Sequence, residues 1–447
     1  MAKDIASKRD ECLFIEEELI LVQTLYKGTK AMREQGALYL PRREVEPEVD
    51  WQKRIDKATL FPAFQETVDS YTGRVFAKGL MPNDDMPDWL VEEVFPNVDM
   101  RGRNLQSFAS DVFRESLIAG AVMVFVDAPA APQNENGSPL TVQQQNALNL
   151  RPYAYTVPYK DLLGWKSKDG YLTQLRVRMH KEVEDGPYHT KRVEKIYVHE
   201  PGKLTIHGKT TQGEWIEEDE RLTGLDRIPM QFFTTNRTGY LQASPPLHEL
   251  AYLNVKHWQQ LSMRDNLLDV VSVPILVSTG ADLKNVVVGG GYMLNIPEDA
   301  TLKYVEHTGA AIKTGSEALK DLEHEMTVAG AALMRRDNAT HTRAQVKEEA
   351  ARGNSTLGGM VTDFTSSMEG LAALLASTRG EEGGTFTLDA NLDAEDFGES
   401  SMNQLEKLYI HRIISKRTFF AEAQRRGELD EAIEWEIEQT RVAEEPL

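Results

Sequence analysis

Between Ser244 and Pro274 the apolar positions fall three and four residues apart, at Leu247, Leu250, Ala251, Val255, Trp258, Leu261 and Leu268, with Asn254 on the same spacing. That period predicts an α-helix. Ser244-Pro245-Pro246 supplies its start and Ser272-Val273-Pro274 its stop, because proline suits a first turn and cannot continue a helix. Such a rod is roughly 40 Å long at 1.5 Å per residue. The polar residues His257, Gln259, Gln260, Arg264, Asp265 and Asn266 suit a helix wedged between neighbours better than one laid over a core. A second helix of similar length is expected over 316–336, through Leu319, Leu322, Met326, Ala329 and Leu333. Between the two rods, Val273–Val277, Tyr292–Ile296 and Leu302–Val305 read as short strands, with Gly289–Gly291 as a tight turn. A polar, basic stretch from Arg335 to Arg343 follows. Helix resumes over 344–378, with interruptions expected near Gly353 and Gly358-Gly359.

Upstream, helical spacing covers 7–35, with Gly36 as its stop, and 51–76, with Pro62 as a break. Residues 37–41 read as extended, and 80–103 as a loop with a short helix. Leu105–Ala119 is helical, Gly120 turns the chain, and Ala121–Asp127 is a strand of apolar residues rich in β-branched valine, ending at an acid. Residues 128–150, rich in Ala, Pro, Gln and Asn, read as a surface excursion. From 151 to 235 strands are expected at 153–157, 172–179, 192–199, 203–206 and 229–234. Near the end, 385–388 reads as a strand, and 402–413, 416–426 (after Ser415 as N-cap) and 429–442 as helices. Helices first and an antiparallel sheet after make an α+β chain.

Composition narrows the function. The 447 residues are 41% apolar, enough for two or more cores. Seventy acids against fifty basic residues leave a net charge of −20, which argues against coating nucleic acid through its phosphates. The last 68 residues hold 17 acids and 7 bases, half of that excess. The lone cysteine, Cys12, can form no disulfide within the chain, and a reducing compartment fits. The longest apolar run, Leu117–Val126, is too short to span a bilayer.

No catalytic pattern stands out. The chain lacks G-x-x-x-x-G-K-[ST], His-Glu-x-x-His and G-x-S-x-G. Gly289–Gly291 lies between strands with no helix after it, so a hairpin turn fits better than a phosphate loop. The ten histidines are scattered, with His307, His324 and His341 expected at the surface. Carboxylate pairs such as Asp84-Asp85 arise by chance among 70 acids. No cofactor, metal site or enzymatic activity is expected.

Several segments together resemble the portal (connector) proteins of tailed phages, and more closely a portal-like subgroup of phages and prophages. They are Met32-Arg-Glu-Gln-Gly-Ala-Leu-Tyr-Leu-Pro41, Thr72–Phe76, Gly120–Asp127, Pro245–Asn254, Pro274–Gly280, Ile414–Thr418 and Arg425-Arg426-Gly427. The resemblance implies a ring of about twelve identical subunits at one capsid vertex, closed by head-to-tail contacts. It implies the portal plan: 1–243 an α+β wing, 244–272 the first stem helix, 273–314 a small β-containing clip, 315–335 the second stem helix, 336–343 a channel loop, 344–379 a long helix, and 380–447 a short helical crown-like end. The implied partners are the terminase large subunit, head–tail adaptors, major capsid and scaffolding proteins, and double-stranded DNA passing non-specifically through the channel, with no membrane. Arg335, Arg336, His341 and Arg343 would face that DNA. Trp258, Leu261, Ala329 and Gly330 would pack subunits together. Lys284, Tyr292 and Lys303 would meet partners at the clip. Location in the virion after assembly in host cytoplasm follows. Two other classes compete: a different ring-forming head–tail adaptor, usually a much shorter chain, and a metal-dependent enzyme using carboxylates, for which no particular acid is nominated.

Overall fold

The fold is that of a computed structural model describing residues 4–128, 150–210, 212–271, 275–280, 301–305, 310–334 and 356–390. In the C-terminal region it describes 406, 409–410, 414–425, 429, 433 and 435–444. The chain divides into two units, 1–392 and 393–447.

In the first unit, α1 (Asp10–Tyr26), α2 (Thr29–Glu34), α3 (Gly36–Tyr39), α4 (Glu48–Lys57) and α5 (Ala63–Val75) precede the short strand β1 (Leu80–Pro82). Then α6 (Leu105–Ala119) runs directly into β2 (Ala121–Asp127). Asn104 caps α6 by accepting the Ser107 amide at 2.9 Å. Gly120 ends it with φ +81°, and a Cβ there would lie 2.4 Å from the Ser244 carbonyl oxygen, so only glycine fits. β3 (Tyr153–Pro158), β4 (Leu162–Lys168), β5 (Tyr171–Glu184), β6 (Thr190–Glu200), β7 (Lys203–Lys209), β8 (Trp215–Leu222), β9 (Met230–Thr234), β10 (Arg237–Gly239) and β11 (Gln242–Ala243) follow. They make an antiparallel sheet in the order β3-β2-β9, a five-stranded antiparallel meander from β4 to β8, and a small β10–β11 ribbon.

Next come α7 (His248–Val271), β12 (Ile275–Thr279), β13 (Thr301–Val305), α8 (Ala310–Gly330), α9 (Thr356–Ser377) and β14 (Phe386–Leu388). β12 and β13 pair antiparallel, as do β1 and β14.

β2 is buried from Ala121 to Val126, which explains an unbroken apolar run where a half-exposed strand would alternate. On one face, Phe76, Phe113, Phe233 and Phe364 form a ring cluster with centroids 5.3–5.9 Å apart, joining α6, β9 and α9. On the other, Phe125 stacks on Tyr155 at 5.6 Å and on His199 of β6 at 4.5 Å. The main core therefore sits between the helices and the second sheet.

The second unit contains α10 (Lys416–Arg425) and α11 (Trp435–Glu444). Ser415 Oγ accepts the Thr418 amide at 3.1 Å, and Phe420 meets Trp435 edge-on at 5.3 Å.

The chain is mixed α+β, and several expectations need correcting. The helix expected over 7–35 breaks at Lys27-Gly28, where Gly28 takes φ +80°. Residues 37–39 are helical, not extended, and Gly36 opens that turn because a Cβ would strike Ile55 at 2.8 Å. Gly358 and Gly359 lie inside α9 without interrupting it, since burial of Leu357, Met360 and Val361 outweighs the glycine cost of about 1 kcal/mol each. Strands β4 and β8 were not expected from the pattern. Residues 380–390 belong with the first unit, because β14 pairs with β1. The expected strand 292–296, the turn 289–291 and the excursion 129–149 lie outside the described residues.

Candidate functional site

The feature set apart from the globular core is the hairpin of α7, β12, β13 and α8. Its base is tied down by buried polar groups. Asn254 is fully buried, donates to the Phe61 carbonyl at 2.9 Å and accepts the Phe64 amide at 3.2 Å. It thereby fastens α7 to the linker between α4 and α5. Gln259 donates to the Tyr39 carbonyl at 2.8 Å. Tyr71 of α5 donates its hydroxyl to the Gly330 carbonyl at the end of α8.

Between the rods, His257 Nε2 lies 3.4 Å from Glu323 Oε1 of α8, with the Phe61 ring at 5.2 Å. Burial pushes this imidazole below its ordinary range, and the Glu323 carboxylate opposes the shift. Leu319, Leu322 and Met326 of α8 are buried.

Further along α7, burial falls away. Beyond Ser262 no described residue of α7 is buried. Lys57 of α4 reaches Asp269 at 2.6 Å, an exposed pair of little energetic weight. Apolar side chains are exposed both at the base, at Tyr252 (55% exposed) and Val328 of α8, and further along, at Met263 (54%), Leu268 and Val277. Tyr252 and Met263 are eleven residues apart, about three turns, and so share one face. Scattered apolar residues are ordinary on a surface; these two are distinguished only by lying on the same face of one helix.

The four subunit-packing residues fall on two sides of this division. Trp258 is 0% exposed and belongs to the core of its own chain. Gly330 is buried too, a Cβ there lying 3.1 Å from Thr67 Oγ1 and 3.8 Å from Leu250. Neither is available to a neighbour, which corrects that assignment: helical spacing marks an apolar face without saying who covers it. Leu261 and Ala329 are half-buried, the latter against the main core. At the clip, Lys303 is exposed on β13. Lys284, Tyr292 and the basic residues Arg335, Arg336, His341 and Arg343 lie outside the described residues. Sequence reasoning missed that Tyr252 and Met263 are exposed on a shared face, although their eleven-residue separation was a usable signal. It also missed the fastening role of Asn254, whose place on the apolar spacing marked it as buried.

Elsewhere, among the described residues, no three His, Cys, Asp or Glu side chains converge as a metal would require. No described helix is long and apolar enough to cross a membrane. Cys12 is buried and unpaired, and burial pushes its thiol up to about 11.

A family model described as "Domain of unknown function (DUF4055)" matches residues 246–377, from the start of the first rod to the end of α9. No curated protein matches the chain. Among solved structures, it is similar at 12% identity to a chain from the virion of a native gene transfer agent (GTA) particle, covering 87% of this chain and 91% of that one, with a TM-score of 0.43. It is similar at the same identity to a chain from the neck of an empty GTA particle computed with C6 symmetry, covering 91% and 96%, TM-score 0.43. A third likeness, to the neck of a native GTA particle computed with C12 symmetry, covers 80% and 88%, with 12% identity and a TM-score of 0.39.

Proposed function

We propose that this chain is the portal subunit of a phage-like particle: about twelve copies close head-to-tail into a ring at one capsid vertex, through which DNA enters during packaging and leaves during ejection. The ring itself has no catalysis; a separate terminase drives the DNA, and head–tail adaptors dock afterwards. The observation that carries this reading is the hairpin. Tyr252 at its fastened base and Met263 further out leave large apolar side chains exposed along one face of the first rod, a face that a neighbouring copy would cover. An annulus covers that face with the neighbouring copy's rod.

The segments resembling portal proteins support the same reading. Gly120–Asp127 forms the turn and central strand of the wing-like unit, and Pro245–Asn254 opens the hairpin. Charge is consistent with a conduit. DNA must slide past, and a net charge of −20 relieved by a sparse basic belt holds phosphates weakly. Arg335, Arg336, His341 and Arg343 are assigned to that belt, and Lys303, Lys284 and Tyr292 to the clip.

Negative-stain microscopy of the purified full-length protein tests the proposal. Rings of about twelve subunits around a central hole are expected; a monomer at every salt and protein concentration would overturn it. Replacing Arg335, Arg336 and Arg343 together with Ala is expected to leave rings intact and to alter packaging or retention of DNA. Unchanged packaging would remove the role given to those arginines.

A further inference from the structure

The sheet β3-β2-β9 ends at β9, and the hydrogen bonds fix which of its peptide groups are used. The Thr235 amide donates to the Gly120 carbonyl, and the Val126 amide to the Pro229 carbonyl, both at 2.9 Å. With the register Val122↔Phe233 and Val124↔Gln231, residues 229, 231, 233 and 235 turn their peptide groups toward β2. Those of Phe232 and Thr234 point away from it. Among the described residues nothing bonds their amides or carbonyls.

They face a cleft of about 720 Å³. Ser366 and Ser367 of α9 line one side, and the start of β5 with the turn at Pro201 another. Ile228, Met230 and Leu241 supply apolar lining.

Exposed sheet edges are ordinarily protected. β8, at the edge of the meander, carries Glu217, Glu218, Asp219 and Glu220 in succession and a register irregularity opposite Ile206-His207. β9 reads Met-Gln-Phe-Phe-Thr, with no charge, no proline and no bulge. An unprotected edge recessed in a cleft is built to be covered.

We propose that this cleft is a strand-acceptor site: an extended, uncharged segment of a neighbouring copy of this chain lies beside β9 as a fourth strand. The free amides and carbonyls call for a peptide backbone in extended form, because only that repeats donor and acceptor at the same interval. Five residues, about 17 Å, match the length of β9. The rim balances Arg227 and Arg237 against Asp226 and Asp363, so it selects no net charge. Five residues also bury far less than the ~1,000 Å² that a stable interface between diffusing partners needs. The segment must therefore arrive already tethered, and a ring neighbour is held at high effective concentration. In this respect the inference rests on the ring reading above.

The test uses the full-length protein with the photoreactive residue p-benzoylphenylalanine replacing Tyr171, which is 78% exposed at the cleft. Irradiation is expected to give an adduct of two chains, and mass spectrometry to place the crosslink in one contiguous segment of this same sequence. Thr234→Pro removes an outward amide and the Thr234 hydroxyl's bond to the Gly120 carbonyl, while the Thr235 amide still donates to that carbonyl and the backbone ladder to β2 is kept; it should lower adduct yield at least tenfold with the Tm within a few degrees of the parent. Ser366→Trp, which fills the cleft from α9 without changing any residue of β9, should do the same and stands in if the proline variant fails to fold.

Rings in the microscope without an adduct, an adduct only to some other protein, or undiminished yield in the variants would overturn the strand acceptor and leave the ring reading intact. A two-chain adduct in protein that forms dimers and never rings would uphold the acceptor and overturn the ring.

Discussion

His199 lies in the interior with neither ring nitrogen bonded among the described residues, pressed between Phe125 and Tyr197. Burial pushes its pKa down to about 3, against 6.5 for a free imidazole. Between those values the unfolded chain binds a proton that the folded chain refuses. Stability contributed by the neutral ring is therefore complete above pH 6.5 and is lost as pH falls, at roughly 1.4 kcal/mol per pH unit. His199→Phe keeps the stack and removes two unsatisfied polar atoms. Its denaturation midpoint should match or exceed the parent's at pH 7, with an advantage growing by roughly 2–3 kcal/mol toward pH 4.5. Parallel losses in the two proteins would show that His199 is solvated. Trp258→Ala should cost about 3–5 kcal/mol in chemical denaturation, as for any large core side chain. The loss should appear in dissociated subunits too, since the indole is covered by its own chain; a loss confined to the assembled protein would restore Trp258 to a subunit contact.

Along α7, Asn254 separates fastening from mere packing. Asn254→Ala leaves the Phe61 carbonyl and the Phe64 amide without partners in a buried setting, which costs about 2–3 kcal/mol by denaturant midpoint, more than removal of the half-buried Gln259 side chain. Equal losses would mean the α4–α5 linker finds other partners. The same helix shows what a sequence reveals. Its length and period were legible because burial on one side imposes a 3.6-residue repeat. That Trp258 turns into its own core while Tyr252 and Met263 turn out was not, because period gives the angle between faces and not their neighbours. β2 was legible from end to end, between a capped helix with a glycine stop and a terminal aspartate. β8 was not, since Glu217–Glu220 has neither alternation nor β-branching, and only pairing with β7 makes it a strand. The candidate site was legible as a rod–strand–rod plan, and its basic and clip residues rest on resemblance, with Lys303 alone among the described positions.

For the molecule as a whole, the two proposals assign two surfaces to identical neighbours, the outer face of the hairpin and the open edge of β9. They differ in physical kind. The hairpin face works by removing apolar area from water, about 25 cal/mol per Å², whereas the β9 edge works through directional hydrogen bonds that fix register and add little net energy. The hairpin should then set whether copies associate, and the edge should set how they are aligned. Tyr252→Glu with Met263→Glu places two charges on a face that is already wet in the free subunit, so its thermal midpoint should move by no more than a few degrees. In an annulus the same charges are buried against a neighbour without partners, several kcal/mol unfavourable per contact, repeated at each of the joints around the ring. Analytical ultracentrifugation is therefore expected to show folded subunits in place of rings. Rings of unchanged size from this variant would mean that the rods do not meet across subunits, and that closure is carried by other surfaces of the wing.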